Sequence, residues 1–155
     1  KRQDAYRIFK DLKALGYEDD KLSLEDVNQF DQLHYHGTLS VQEAIETINI
    51  QENDNVLEVG AGWGGPSRYI AYKTRAHVSA LELQQDYSEV GKELTLRTGL
   101  QRFVTHINQD FLNFSYKSAC FNKIVSWLAL YHIPNRKKYT AKLFNLLNKK
   151  WDALH

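Results

Sequence analysis

Asn55-Val-Leu-Glu-Val-Gly-Ala-Gly-Trp-Gly-Gly-Pro-Ser-Arg-Tyr-Ile-Ala71 reads as a buried strand, a glycine-rich turn and the start of a helix. Val56, Leu57 and Val59 are β-formers in a short apolar run. Gly60, Gly62, Gly64 and Gly65 allow a sharp turn and let a ligand approach the backbone where a Cβ would otherwise stand. Pro66 suits the first turn of the helix, where a missing N–H costs nothing. Gly60, Gly62 and Gly65 satisfy G-x-G-x-x-G, a weak pattern alone that needs a strand before it, a helix after it and an acid about 20 residues on. His77-Val-Ser-Ala-Leu81 reads as the next strand and Glu82 ends it, so all three conditions are met. The competing reading is a glycine-rich turn that holds no ligand.

A chain of 155 residues is expected to form one domain with a single substantial core. The hydrophobic fraction of 43% and charged fraction of 25% are those of a globular protein, and a formal charge of +1 points to neither nucleic acid nor an acidic membrane surface. Cys120 has no second cysteine to pair with, so a reducing cytoplasmic setting is the simplest expectation, with the thiol structural or at the surface. No apolar run approaches the roughly 20 residues of a membrane span. The chain starts at Lys1 and has no methionine, so an excised segment is expected, with any N-terminal address outside it.

Ala5, Ile8, Phe9, Leu12 and Leu15 recur at helical spacing before Gly16, which predicts an amphipathic helix over 1–15. Ser23-Leu-Glu-Asp26 resembles a capping box opening a second short helix. It leads into Asp31-Gln-Leu-His-Tyr-His-Gly-Thr38, which reads either as a solvated surface loop or as part of a site. Ser40 with Glu43 predicts a further capping box for a helix ending near Asn49. After the glycine turn, Asp86-Tyr-Ser-Glu89 is the expected cap of a helix closed by Gly99. Phe103–Ile107 and Phe121–Ser126 are the expected third and fourth strands. Asn135 or a neighbour starts a last helix, and Trp151–His155 is the expected start of a fifth strand. The alternation implies an α/β fold, a Rossmann-like doubly wound and mainly parallel sheet with its ligand crevice beyond the carboxyl ends of the strands.

Dinucleotides and S-adenosylmethionine both suit such a turn followed by an acid at the end of strand two. In either case Glu82 would accept hydrogen bonds from ribose hydroxyls, unless it is merely a solvated acid at a strand end. Glu58 favours the second cofactor, because a carboxylate beside the turn suits a methionine ammonium and repels a pyrophosphate. Asp110-Phe111 after strand three offers an acceptor for an adenine amino group with an aromatic neighbour, or a plain Asx turn. Trp127 offers a ring face to a sulfonium or a base, or packs in the core.

Glu58-Val-Gly-Ala-Gly-Trp-Gly-Gly-Pro-Ser-Arg-Tyr-Ile-Ala71, Glu82, Asp110-Phe and Ser126-Trp-Leu-Ala-Leu-Tyr-His-Ile-Pro134 together resemble the class I S-adenosylmethionine-dependent methyltransferases, over most of the chain from Asp31 onward. The Gly-Gly-Pro-x-Arg continuation is similar to the sterol, tocopherol and small-amine branch, and Asp31–Thr38 is similar to the N-terminal lid motif of the small-amine members. The resemblance implies that Glu58, Gly60 and Gly62 lie at the methionine part of the cofactor, that Glu82 with Leu83 holds the ribose, that Asp110 and Phe111 meet the adenine, and that Trp127 borders the methyl. It implies that His132 borders the methyl as well. Because His132 follows strand four by a few residues, at the carboxyl edge of the sheet, it is the leading candidate proton acceptor, unless it only caps the next helix or orders the loop before Pro134. It is joined by His34 and Tyr35 from residues 1–50, a set of N-terminal helices and lid over a core of 51–155. Trp63, Trp127 and Tyr131 are further ring faces for a cationic product. The family's strand order is 3-2-1-4-5-7-6, and this chain ends where strand five is due. Its Lys150-Trp151 also stands where the family often has Gly-Gly.

The expected activity is methyl transfer to a small-molecule acceptor, an amine nitrogen first, with no nucleic acid partner, no membrane span and no assignable oligomeric state. One alternative is a truncated domain that binds the cofactor or a protein without turnover. The other is an NAD-dependent oxidoreductase, disfavoured by Glu58 and by the lack of a basic residue near the turn for phosphates. No metal is expected, since His34 and His36 have no carboxylate or cysteine set around them.

Overall fold

The computed structural model describes residues 4–17, 21–32, 36–117 and 119–147. Its elements are α1 (Arg7–Ala14), α2 (Leu24–Asp31), α3 (Gly37–Thr47), β1 (Asn55–Val59), α4 (Gly65–Thr74), β2 (His77–Glu82), α5 (Gln85–Arg97), β3 (Val104–Asn108), β4 (Lys123–Val125) and α6 (Arg136–Leu146), with a short 3₁₀ turn Leu130–His132. The sheet order is β3-β2-β1-β4 and every pairing is parallel. The chain steps outward from β1 to β2 to β3 and then returns to the far side of β1. The switch point therefore lies between β1 and β4, where a crevice opens past the strand ends.

Side-chain alternation along β1 decides what lies on each face of the sheet. Val56 joins Val41, Ile45, Ile70, Val78 and Val125 in the core under α3 and α4. Leu57 and Val59 join Leu81, Phe111, Phe121 and Leu146 in the core under α6. Glu58 has the parity of Val56, so its side chain is committed to the α4 face. A third cluster packs α1 and α2 on α5, with Ile8, Leu12, Val27, Trp63 and Leu94 buried in it. Gly65 lets α2 end against the first turn of α4, since a Cβ there would stand 2.3 Å from the Asp31 carbonyl oxygen.

Several local expectations are corrected. The first helix begins only at Arg7, after a turn in which the Tyr6 N–H is held by Asp4 Oδ1. Ser23 does form a capping box, with Asp26. Ser40 does not: α3 starts a turn earlier, after His36 takes a left-handed backbone, and the Ser40 hydroxyl donates to the Gly37 carbonyl. Asp86 is not a cap but lies inside the first turn of α5, where a carboxylate favours the helix dipole. Meanwhile Glu89 accepts from the Tyr6 hydroxyl. The fourth strand is shorter than expected, and Phe121 instead makes a single parallel bridge to Leu147. The expected fifth strand lies outside the described residues.

Candidate functional site

The turn after β1 is held by the strand beside it. Gly60 and Ala61 both donate their N–H to the Leu81 carbonyl, at 2.8 and 2.9 Å. Gly60 and Gly62 take positive φ of 75° and 55°. A Cβ on Gly60 would stand 2.0 Å from the Ala129 Cβ, so this glycine is what lets the segment after β4 close over the turn. Glu82 spans the gap between turn and strand: its Oε2 accepts from Gly62 N–H and its Oε1 from Gln84 N–H, each at 2.8 Å. Asn108, which nothing in the sequence singled out, donates to the Glu82 and Leu83 carbonyls at 2.9 Å and fixes the end of β2.

Beyond these strand ends lies a cavity of about 360 Å³ whose lining includes Gly60, Glu82, Leu83, Asp110, Phe111 and His132. Six residues chosen from sequence thus meet at one place, on four different connections. Asp110 also forms the Asx turn, with Oδ1 accepting from Leu112 N–H and Oδ2 from the Asn113 amide. The turn and the cavity are compatible, because each carboxylate oxygen has two lone pairs. Among the described residues no cluster of His, Cys, Asp and Glu is placed to hold a metal. No described helix is long and apolar enough to cross a membrane.

The model of the ribosomal RNA adenine dimethylase family matches residues 26–150. The chain belongs to this family of class I S-adenosylmethionine-dependent methyltransferases. It is similar to the glycine/sarcosine/dimethylglycine N-methyltransferase of Actinopolyspora halophila, 25% identical over 115 residues that are 74% of this chain and 20% of that protein. It is also similar to the sterol 24-C-methyltransferase of Eremothecium gossypii, 33% identical over 99 residues, 63% of this chain and 26% of that one. Among solved structures, phosphoethanolamine N-methyltransferase 2 of Haemonchus contortus in complex with S-adenosyl-L-methionine shares the fold, with a TM-score of 0.72 at 18% identity over 77% of this chain and 28% of that one. The chain spans between about a fifth and about a half of the length of the first curated relatives it matches.

The methyl donor of these methyltransferases is S-adenosylmethionine, and the lining of the cavity fits it. Glu82 keeps free lone pairs on both oxygens after accepting its two backbone N–H groups, which suits a pair of ribose hydroxyls. Leu83 is apolar yet 67% exposed, and with Phe111 it offers the cavity a surface for a planar base.

Other expected site residues are placed elsewhere. Trp127 is half-buried against the core under α3 and α4 and does not line the cavity. Trp63 is buried under α1 and α2, stacked on Tyr87 at 5.5 Å between centroids, and has no face for a ligand. Gly62 enters through its N–H to Glu82. His34 and Tyr35 lie outside the described residues. Glu58 does not face the cavity either: it is fully buried beneath the turn, where the Ser67 hydroxyl donates to it. Desolvation raises its pKa to about 8 against the pull of Ser67 and Arg68.

Beneath the turn runs a buried polar network that the sequence did not reveal. Arg68 is completely buried and pairs with Asp31 at 2.7 Å. It also donates to the Gly91 carbonyl and to Thr95 Oγ1, which in turn lies 2.8 Å from His106 Nε2. Burial pushes the Asp31 carboxyl upward while the Arg68 guanidinium pulls against it. Burial, aided by the charges of Arg68 and Lys92, drives His106 down to about 3, so its imidazole is neutral at physiological pH.

Proposed function

We propose that this chain binds S-adenosylmethionine in the first cavity and transfers its methyl group to the nitrogen of a small-molecule amine. The observation that carries this reading is the meeting of Gly60, Glu82, Leu83, Asp110, Phe111 and His132 around one cavity at the switch point of the sheet. Glu82 would hold the ribose, Asp110 the adenine amino group, and Leu83 and Phe111 its faces. Gly60 and Gly62 would carry the methionine part across the turn. Glu58 would act only from below, by accepting from the Ser67 hydroxyl of α4 and so holding the turn in place. The bound donor supplies a methyl on a sulfonium leaving group, so a single in-line displacement forms the N–C bond as the S–C bond breaks. The protein's task is then to align the acceptor, exclude water and take a proton. His132, exposed at the cavity's edge, would accept the proton that an ammonium must lose before its nitrogen bears a lone pair.

The amine preference is supported by similarity to proteins named as N-methyltransferases, and the similarity to a sterol C-methyltransferase makes carbon the acceptor to test against it. Calorimetry with S-adenosylhomocysteine and NAD tests the cofactor. The homocysteine analogue should bind, and Glu82→Gln should weaken it by about 1.5–3 kcal/mol, because the new amide faces backbone donors where the carboxylate accepted. Preferential binding of NAD would overturn the assignment. Binding without methyl transfer to any amine, phenol or sterol would leave a cofactor-binding domain that does not turn over.

A further inference from the structure

One wall of the cavity is built from chain with no regular structure. After β3 the backbone passes through Asp110 and Phe111 as a turn, and its described residues form neither helix nor strand before β4. Side chains on such a segment lie where the turn and its ties to the rest of the fold hold them. The turn itself is local. Asp110 Oδ1 accepts from Leu112 N–H at 3.1 Å, Oδ2 from the Asn113 amide at 2.7 Å, and the Asp110 carbonyl from Asn113 N–H at 3.0 Å. These bonds set Asp110 relative to Leu112, but they do not set where the whole turn stands against the cavity.

A tie from α6 supplies that position. The Lys142 ammonium donates to the Leu112 carbonyl at 3.0 Å, across 30 residues of sequence, and lies over the Phe111 ring at 5.7 Å from its centroid. Leu112 is thus gripped on both sides, its N–H by the Asp110 carboxylate and its carbonyl by Lys142. The helix carrying the cation is itself anchored, since Tyr139, Leu143 and Leu146 pack in the core that also buries Phe111. The place is a costly one for a lysine. Lys142 is half-buried, and burial and then the charge of Lys138, one helical turn before it, push its pKa down while Asp110 pulls against them. A lysine serving only to solvate the surface would carry its ammonium into water instead. Lys142 does not line the cavity, so it reaches a ligand only through Leu112, Phe111 and Asp110.

We propose that Lys142 is a positioning residue for the base of the methyl donor: it holds the Asp110 carboxylate at the adenine amino group and the Phe111 ring against the base, and so sets the cavity's preference for an amino-bearing purine. This rests on the reading of Asp110 and Phe111 as the adenine wall. An ionised carboxylate only accepts, so Asp110 gains a bond from an amino group and opposes an oxygen in the same place. The distinction depends on where the carboxylate stands. Hydrogen bonds weaken steeply when bent, and a carboxylate displaced along the base edge would meet the ring N–H that an oxygen-bearing purine presents beside its carbonyl. Packing of Leu83 and Phe111 against the base is indifferent to that change, because every purine has the same kind of ring face. Lys142 therefore governs which base is held more than how firmly any base is held.

The test compares two ligands by calorimetry: S-adenosylhomocysteine, and S-inosylhomocysteine, whose base carries an oxygen in place of the amino group. Both would be titrated into the full chain and its Lys142→Met, Lys142→Gln, Lys142→Arg and Asp110→Asn variants, with folding followed by circular dichroism. The unaltered chain should prefer the adenine compound by roughly tenfold to a hundredfold, the size of one hydrogen bond to a charged group. Lys142→Met keeps the aliphatic stem and removes the ammonium, and should cut that ratio by about tenfold, mainly through weaker binding of S-adenosylhomocysteine. Lys142→Arg, which can still donate to the Leu112 carbonyl, should restore most of the ratio. If Lys142→Met does not fold, Lys142→Gln makes the same comparison. A lysine that only supports the fold would lower the thermal midpoint and weaken both compounds alike. That result, or an unchanged ratio, overturns the inference, and the adenine wall still stands if Asp110→Asn abolishes the preference. If the unaltered chain has no preference, or Asp110→Asn keeps all of it, the adenine lies elsewhere and reading and inference fall together.

Discussion

Above the glycine turn the carboxylates of Glu82 and Asp110 line a cavity, with both oxygens of each already accepting a hydrogen bond. Below it Glu58 and Asp31 are sealed among α2, α4 and the sheet, and burial raises both their pKa values. The two sides are separated by the turn itself, with Glu58 and Glu82 of the same strand parity since Glu58 pairs with Ala80, yet they carry opposite consequences. An acid above the turn is available to a ligand and costs the fold little. An acid below it weighs on stability whenever it must ionise, and serves function only by holding the turn. Substitutions below should therefore be read first in unfolding experiments, and substitutions above in binding and turnover.

The sharpest test of this division is the pH dependence contributed by Glu58. Its folded pKa of about 8 lies above the ordinary 4.5, so between those values the folded chain keeps a proton that the unfolded chain has released. Stability from this group is complete below pH 4.5 and is lost as the pH rises through 8, by about 1.4 kcal/mol per unit, on the order of 5 kcal/mol in all. Glu58→Gln, which keeps the shape and cannot ionise, should be increasingly more stable than wild type over that window in urea titrations. His106 runs the other way: its folded value of about 3 lies below 6.5, so its contribution is present above pH 6.5 and is lost as the pH falls toward 3. A difference between Glu58→Gln and wild type that does not grow with pH would mean that Glu58 is already ionised beneath the turn.

Next in size is the pair that ties α2 to α4. Asp31→Ala strands Arg68 in a site with no solvent, a change that costs about 3–5 kcal/mol in comparable buried pairs. Replacing both, as Asp31→Leu with Arg68→Met, should recover most of that loss, because two buried charges are exchanged for apolar contact. Denaturant midpoints of the two single variants and the double variant measure the coupling. If Asp31→Ala is within 1 kcal/mol of wild type, the network beneath the turn is not holding α2.

What could be read in advance follows the same division. The strand, turn, helix and following strand were legible because each announces itself locally: β-branched residues, glycines at positive φ, a proline in the first helical turn and an acid at a strand end. The placement of Glu58 was present in the sequence as the alternation of Val56 and Glu58 with Leu57 and Val59, and only a comparison of the two parities brings it out. Asp31 with Arg68, 37 residues apart, carries no such local sign. The segment after β4 was the least legible part. Its backbone is irregular, with Leu128 left-handed and a 3₁₀ turn after it, so no period decides that His132 faces the cavity while Trp127 packs on the core. The Ser40 cap failed for a related reason, since a left-handed His36 started α3 a turn early.

The smallest effect on stability belongs to the residue with the largest proposed effect on rate. His132 is exposed, and its backbone N–H, bonded to the Ala129 carbonyl at 3.0 Å, is kept by any replacement but proline. His132→Ala should therefore shift the unfolding free energy by no more than about 0.5 kcal/mol, as for other surface changes away from special backbone. If its imidazole takes the acceptor's proton, the same change should lower kcat by about 10²–10⁴-fold while S-adenosylhomocysteine binds as before. The loss should shrink at high pH, where the amine sheds its proton to solvent and the base is no longer needed. A purely structural histidine would give a loss that does not depend on pH and a matching drop in stability. Radiolabelled methyl transfer from pH 6 to 9, with calorimetry on the same preparations, separates the two. Wild-type turnover across that whole range would remove His132 from the chemistry and leave proton removal to the solvent.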